Sequence, residues 1–357
     1  MNILNIYVLK KFLKTFLFVV GVMVLVVVVI DFTEKNHKFI QNKLSTNDIL
    51  GYYYSFIPYI ISLVTPITAF IATVYVTAQL SQRSEIIAIL TSGKSFIYII
   101  KSFFLGSLII ALISFILNGW IIPHLNKERV AFEVMYIKNP YFFSDKNVHF
   151  KVDENSYLYL ERYDNNMEIG YNVTIENFEN NKLKAKLFAR QIIWKNEIDK
   201  WRLKTWRTRK LNEEGEIIEN GFELDTTLLV SPSDFDNNYR LSETFTINEL
   251  NEFINLQKLR GADDINIYKI EKYMRIAQPF TVILLVILGV VIASRKSRQG
   301  KGYLIALGFV FAFAFIISFV MSRAFAENGS LNPLFAVWLP NIIFGFVTIY
   351  MYKLTPK

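Results

Sequence analysis

A bundle of six membrane-spanning helices with an all-β domain inserted between the third and the fourth is the fold class that this 357-residue sequence predicts. Three observations predict it. Six stretches free of charged residues are each long enough, or nearly so, to cross a bilayer. The middle of the chain abandons that pattern and alternates polar with apolar residues. The charges divide along the same boundary: of 39 Lys/Arg and 31 Asp/Glu, residues 124–267 hold 20 and 25, which leaves 19 and 6 for the rest. A basic remainder made of apolar runs points to a membrane surface before it points to nucleic acid. The 52% hydrophobic content fits a membrane part joined to a soluble part.

The uncharged runs are residues 15–30, 49–82, 102–123, 276–294, 302–322 and 328–352. Crossing ~30 Å of hydrocarbon takes ~20 helical residues. The first run is short only because Lys14 ends it, and a lysine can snorkel to the interface. Residues 16–30 hold 13 Leu, Ile, Val or Phe among 15. At roughly −0.3 to −0.6 kcal/mol each, these favour insertion by about 4–8 kcal/mol. The stretch IDFTEKN that follows has no small-residue cleavage pattern, so the first run reads as an uncleaved span.

Six spans place both termini on one side. Lys10, Lys11 and Lys14, then Arg83, Lys94 and Lys101, then the four basic residues of RKSRQGK, then Lys353 and Lys357 all fall on that side. The opposite short loops hold only Lys35, Lys38, Lys43 and Arg323. By the positive-inside rule both termini are cytoplasmic, and residues 124–267 lie outside the cytoplasm.

From Val148 the period becomes two. Tyr157, Tyr159 and Glu161 alternate with Leu158, Leu160 and Arg162, and YNVTIENF, LKAKLFARQIIW, WRLKTWRTR and FELDTTLLV continue the pattern. Turn-prone ENNK, KNEIDK and NEEG separate these runs, which predicts a β-sandwich or barrel-like domain that fades after Pro232. Thr246 and Glu249 form a capping box, Leu250, Phe253, Ile254 and Leu256 make an amphipathic face, and Gly261 supplies a stop. The segment YKIEKYMR then leads into the fourth span. With the first outer loop it brings Lys35, Lys38, Lys43, Lys269, Lys272 and Arg275 to the outer interface, against the charge bias. Pairing with the acidic domain or with ordinary headgroups explains them plainly; contact with a specific anionic lipid headgroup is the sharper expectation, carried by Lys35, Lys38, Lys272 and Arg275.

Residues 78–95, AQLSQRSEIIAILTSGKS, interrupt the apolar runs. TSGKS imitates the end of a phosphate-binding loop, but Ala88 stands where the first glycine belongs and no strand precedes it. Gly300–Gly302 fails likewise, because Arg295 holds the first-glycine position. The chain therefore binds no nucleotide through these motifs. At ~100° per residue Ile86, Ile87, Ile89 and Leu90 share one arc, with Arg83 and Glu85 at its margin and Gly93 as a stop. Such a patch either presses into a groove on a soluble partner or lies in the membrane interface.

The segment resembles the cytoplasmic coupling helix of the lipopolysaccharide-export permeases of the LptF/LptG family, on Gln82-Arg83-Ser84-Glu85, the apolar IIAIL and Ser92-Gly93. The likeness extends to Trp120-Ile-Ile-Pro123, to Phe188-Ala189 with Lys200-Trp201-Arg202-Leu203, and to Gln278-Pro279. The three-plus-three layout with its insertion agrees along nearly the whole chain. QRSE and KWRL draw it nearer to the LptG branch.

The resemblance implies a subunit, in the Gram-negative inner membrane, of an ABC transporter that takes lipopolysaccharide from that membrane and passes it to a periplasmic bridge protein of jellyroll fold. It implies three divisions: residues 1–123 with spans one to three and a coupling helix at 79–92, residues 124–267 as a periplasmic β-jellyroll-like domain, and residues 268–357 with spans four to six. Its partners would be a second permease of the family and a cytoplasmic ATPase dimer. This chain would itself be non-catalytic and bind no cofactor, with ATP used by the partner. Gln82, Arg83, Ser84, Glu85, Ile86 and Gly93 would make the ATPase coupling, and the first and fifth spans would form the gate. Faces such as residues 309–320 would line the lipid cavity. The family often has a basic residue at the outer end of span one, where this chain has Asp31. A membrane-anchored sensor or envelope-assembly scaffold is the competing function, and it predicts no ATPase partner. An enzyme finds little support: His37, His124 and His149 are scattered, without metal spacing or a nucleophile motif.

Overall fold

The structure, a computed structural model, describes residues 3–138, 146–153, 155–165, 167–180, 182–212, 215–228, 230–235, 239–260, 265–294 and 300–355. The predicted stop at Gly261, the NEEG and ENNK turns in part, and residues 295–299 of the basic RKSRQGK segment lie outside them.

Among the described residues, six helices are long and apolar enough to cross a membrane. The first, α1 (Ile3–Gln41), runs well beyond the uncharged core at both ends, because Lys, Asn and Glu continue a helix as readily as they flank one. It stops at Lys43, whose φ is 51°, and Ser45 with Asp48 closes a capping box that starts α2 (Thr46–Gln82). At 1.5 Å per residue, these 37 residues extend about 55 Å, well beyond the hydrocarbon thickness. A short helix, α3 (Glu85–Thr91), links α2 to the third span. That span is α4 (Phe96–Ile116), a π turn at Leu117–Ile121, α5 (Ile122–Phe132) and a second π turn at Glu133–Ile137. After the β domain come α6 (Leu241–Thr244), α7 (Ile247–Arg260), α8 (Ile265–Ala293), α9 (Lys301–Glu327) and α10 (Pro333–Lys353).

The second and fourth spans are central, with most of their apolar stretch buried, whereas the first, fifth and sixth leave most of theirs uncovered. One core joins Phe12, Phe16 and Val20 of α1 to Ala72 and Val76 of α2, Phe103 of α4 and Val286 of α8. A second joins the other side of α2 and α8, through Phe70, Val74 and Leu288, to Phe315 of α9 and Phe344 of α10. Gly106 lets α1 and α4 approach closely: a Cβ there would lie 2.6 Å from the Phe12 ring.

The chain forms two compact units, one of Met1–Ile137, Leu241–Leu250 and Asn266–Lys357, the other of Lys138–Arg240 and Asn251–Ile265. Residues 122–137 continue the third span as helix, and the segment around α6 belongs with the helices rather than with the strands.

The second unit contains one antiparallel sheet whose six strands follow in chain order, β1 (Lys146–Asp153), β2 (Ser156–Asp164), β3 (Ile169–Glu179), β4 (Lys182–Lys195), β5 (Lys200–Asn212) and β6 (Gly215–Thr226). Leu158, Leu160, Val173, Ala189, Trp201 and Leu203 bury one face against Val230 and Phe235, with the Tyr163 and Phe235 rings stacked at 3.8 Å. The alternation places Arg162 beside Leu160 on that face, yet Arg162 is exposed and Tyr163 is buried. The same change of parity separates Ala189 from Ile192. The backbone accounts for it: Asn172 and Thr205 take left-handed φ of 49° and 51°, and Asn172, Arg190 and Thr205 are skipped in the paired register.

Candidate functional site: the two ends of the helical unit

At the α3 end, the sequence suggests one helix over 79–92, but the structure breaks it. Gln79–Gln82 is the last turn of α2, and Ser84 turns the chain with a left-handed φ of 59° before α3 begins. A serine gives no such signal, since glycine is the residue expected there. Arg83 is exposed, and its N–H donates to the Gln79 carbonyl at 3.1 Å. Glu85 accepts from the Tyr7 hydroxyl of α1 at 3.3 Å, and Lys11 donates to the same hydroxyl at 3.2 Å. The apolar arc divides: Ile86 and Ile89 are buried in the core shared with α1 and α4, while Ile87 and Ala88 face outward. Gln82 is exposed beside Arg83, and Gly93, with φ 80°, ends the short helix. Of the six residues expected to contact a partner, Ile86 instead anchors α3 to its own bundle. Tyr7, which the sequence did not single out, joins α1 to it.

At the opposite end, Asp31 is buried beneath charged and hydroxyl partners. Lys35 lies 2.6 Å from Asp31 and 3.4 Å from Glu133 of the third span. The Tyr52 hydroxyl donates to Asp31 and to Glu133 at 3.3 and 3.2 Å, and the Tyr53 hydroxyl to Asp31 at 3.2 Å. The Lys35 ammonium also sits 4.7 Å above the Tyr52 ring. Buried charges occur in this way, paired and hydrogen-bonded, because an isolated one is too costly. Arg275 is buried too, donating to Glu271 at 2.9 Å, to the Ser242 carbonyl at 3.0 Å and to the Phe245 carbonyl. Lys38 and Lys272 are half-exposed, Lys272 near the Tyr273 ring. Of the four cations expected at a headgroup, Lys35 and Arg275 are thus engaged by the chain's own oxygens.

Arg275 shares its task with the third span. Arg129, fully buried, donates to Glu243 and stacks 3.8 Å from the Tyr59 ring, while Asn126 donates to the Glu243 carbonyl at 3.0 Å. Lys127 pairs with Glu249 at 3.0 Å. The predicted capping box is present, with Glu249 accepting from the Thr246 N–H at 2.7 Å and returning its own N–H to Thr246 Oγ1. That backbone donor first, and Lys127 second, push the Glu249 carboxyl down to about 2. Among the described residues no group of three or more His, Cys, Asp or Glu is placed to hold a metal.

This arrangement, six spans with an inserted antiparallel sheet and a short helix between spans two and three, agrees with a family comparison: residues 6–354 match the family described as lipopolysaccharide export system permease LptF/LptG. The chain belongs to the LptF/LptG family. The lipopolysaccharide export system permease protein LptG of Escherichia coli strain K12 is 19% identical over 353 residues, which cover 98% of each chain. LptG of Escherichia coli O6:H1 strain CFT073 matches to the same extent. Among the described residues of this LptF/LptG chain, the α3 end and the Asp31 end are places where charged side chains meet an otherwise apolar bundle.

Proposed function

We propose that this LptF/LptG chain is a permease subunit of an ABC transporter that extracts lipopolysaccharide from the inner membrane and passes it to a periplasmic bridge of jellyroll fold. In this reading both termini are cytoplasmic, the sheet is periplasmic, and a second family permease and a cytoplasmic ATPase dimer complete the machine. ATP is used by that dimer, and this chain needs no cofactor of its own. The asymmetry of basic residues between the loops supports the orientation.

The observation that carries the reading is the two-faced construction of α3. Its inner face, Ile86 and Ile89, is buried in the core that α3 shares with α1, α2, α4 and α8. Its outer rim presents Gln82, Arg83, Ile87 and Ala88. A partner gripping that rim moves the helices of this core with α3, α1 among them, because close-packed interfaces shift as bodies rather than deform. Movement of α1 narrows a cavity walled by apolar spans, and acyl chains leave toward the sheet, since each CH₂ exposed to water costs about 0.8 kcal/mol. Lys38 and Lys272 serve an anionic headgroup directly; Lys35 and Arg275 do so only on leaving their present partners.

Glu85→Lys should abolish lipopolysaccharide export and capture of the ATPase while the protein stays inserted in the membrane. Normal export with normal ATPase capture would refute the coupling role. Failure of the native chain itself to capture an ATPase would favour the sensor or scaffold reading instead.

A further inference from the structure

In a continuous α-helix each carbonyl accepts from the N–H four residues on. Pro66 lies inside α2 and has no N–H, so the Ser62 carbonyl loses its helical donor. In a bilayer no water replaces it. The structure supplies the donor from another span: Gln278 of α8 directs Nε2 to the Ser62 carbonyl oxygen at 2.8 Å. The Gln278 amide is itself oriented by Asn118 Nδ2, which donates to its Oε1 at 3.1 Å. Asn118 in turn accepts from the Ser62 hydroxyl and donates to Ser114 at 3.1 Å. The result is a closed ring of donors and acceptors that joins spans two, three and four. Asn118 reaches it because it sits in the π turn Leu117–Ile121, a local widening of the kind that re-aims side chains.

The same device occurs a second time. Pro340 removes the helical donor of the Ala336 carbonyl in α10, and the Ser322 hydroxyl of α9 donates to that oxygen. Two proline-opened turns are thus each closed by a neighbouring span. Only the first lies on the span that carries α3, and Ser62 stands near the middle of its 37 residues. A turn lacking its hydrogen bond is where a helix bends. Left open, it would absorb a displacement applied at one end of α2; closed, it lets α2 carry that displacement past Pro66 towards Pro58, the other proline inside this helix.

We propose that Gln278 is a positioning residue for export: acting through the Ser62 carbonyl that Pro66 leaves open, it stiffens the middle of the second span so that displacement of α3 passes beyond Pro66. The transport arm of this proposal rests on the permease reading above; the stiffness of α2 does not.

The test uses the full chain, assembled with its partners in lipid vesicles, as Gln278→Leu, Pro66→Ala and the double variant. Gln278→Leu should lower lipopolysaccharide extracted per ATP hydrolysed roughly tenfold, the effect of one unpaired buried carbonyl, while ATP hydrolysis continues. Pro66→Ala restores an N–H to the Ser62 carbonyl, so the double variant should return to within about twofold of the native chain. Spin labels at Leu50 and Tyr75, both exposed on α2, should give a broader distance distribution in Gln278→Leu and a native one in the double variant. Unchanged extraction and distances in Gln278→Leu would overturn the proposal, as would a loss that Pro66→Ala fails to repair. If the distances respond as expected and no extraction is seen even in the native chain, the permease reading falls and the hinge stands. Should Gln278→Leu not be recovered from membranes, recovery of the double variant supports the proposal and its absence overturns it.

Discussion

At the scale of single residues, the two buried cations decide more than their exposed neighbours. Lys35 is shared between Asp31 and Glu133, so its removal takes one ammonium away from two carboxylates at once. Lys35→Met should lower the thermal stability of the detergent-solubilised chain by about 3 kcal/mol, and adding Asp31→Asn should recover part of that loss. Equal melting of the native and Lys35→Met chains would show the pair to be solvated. Glu249 gives a prediction with a sign. Its folded value, about 2, lies below the ~4.3 of an unfolded glutamate, so its stabilisation is complete above that value and vanishes as pH falls toward 2. Amide protection at the start of α7 should therefore decline between pH 4 and 2, and Glu249→Gln should flatten that decline. The Thr246–Glu249 box was legible in the sequence because it is local. Asp31–Lys35 was legible only as an i,i+4 pair; Glu133 and Tyr52, which bury it, are distant in the chain.

At the scale of elements, hydrophobic runs announced each span, while the joints between them went unannounced. Ser84 breaks the helix expected over 79–92 through a backbone conformation that its side chain does not advertise. The π turns around Asn118 and Glu133 are equally silent, since they add one residue to a turn without altering composition. Close approach of elements is a further such property. Gly106→Ala should force the Phe12 ring off its seat and destabilise the α1–α4 contact by about 1–3 kcal/mol, as overpacking does. Gly21, with open space around it, should accept alanine without loss in the same unfolding assay.

At the scale of the whole molecule, a bundle with one polar insertion implies two aqueous faces. The native chain has no cysteine, so a single introduced thiol reports its own side unambiguously. In the proposed orientation, Thr91→Cys should react with an impermeant maleimide only after the inner membrane is opened, and Glu219→Cys should react once the outer membrane alone is permeable. Labelling of Thr91→Cys from outside would invert the topology and remove the ATPase from reach.

The sequence by itself determined how many spans there are, where the strands lie and the family to which the chain belongs, because hydropathy and period are properties of short windows. Tertiary structure alone decided which cations are free. Lys35 and Arg275 read like Lys38 and Lys272 in one dimension, but burial is set by partners 30 to 100 residues away, and a charge taken from water must find an opposite charge or a carbonyl there. The same reason placed Gln278 on the Ser62 carbonyl: a proline in lipid opens a backbone acceptor, and packing of another span supplies the donor.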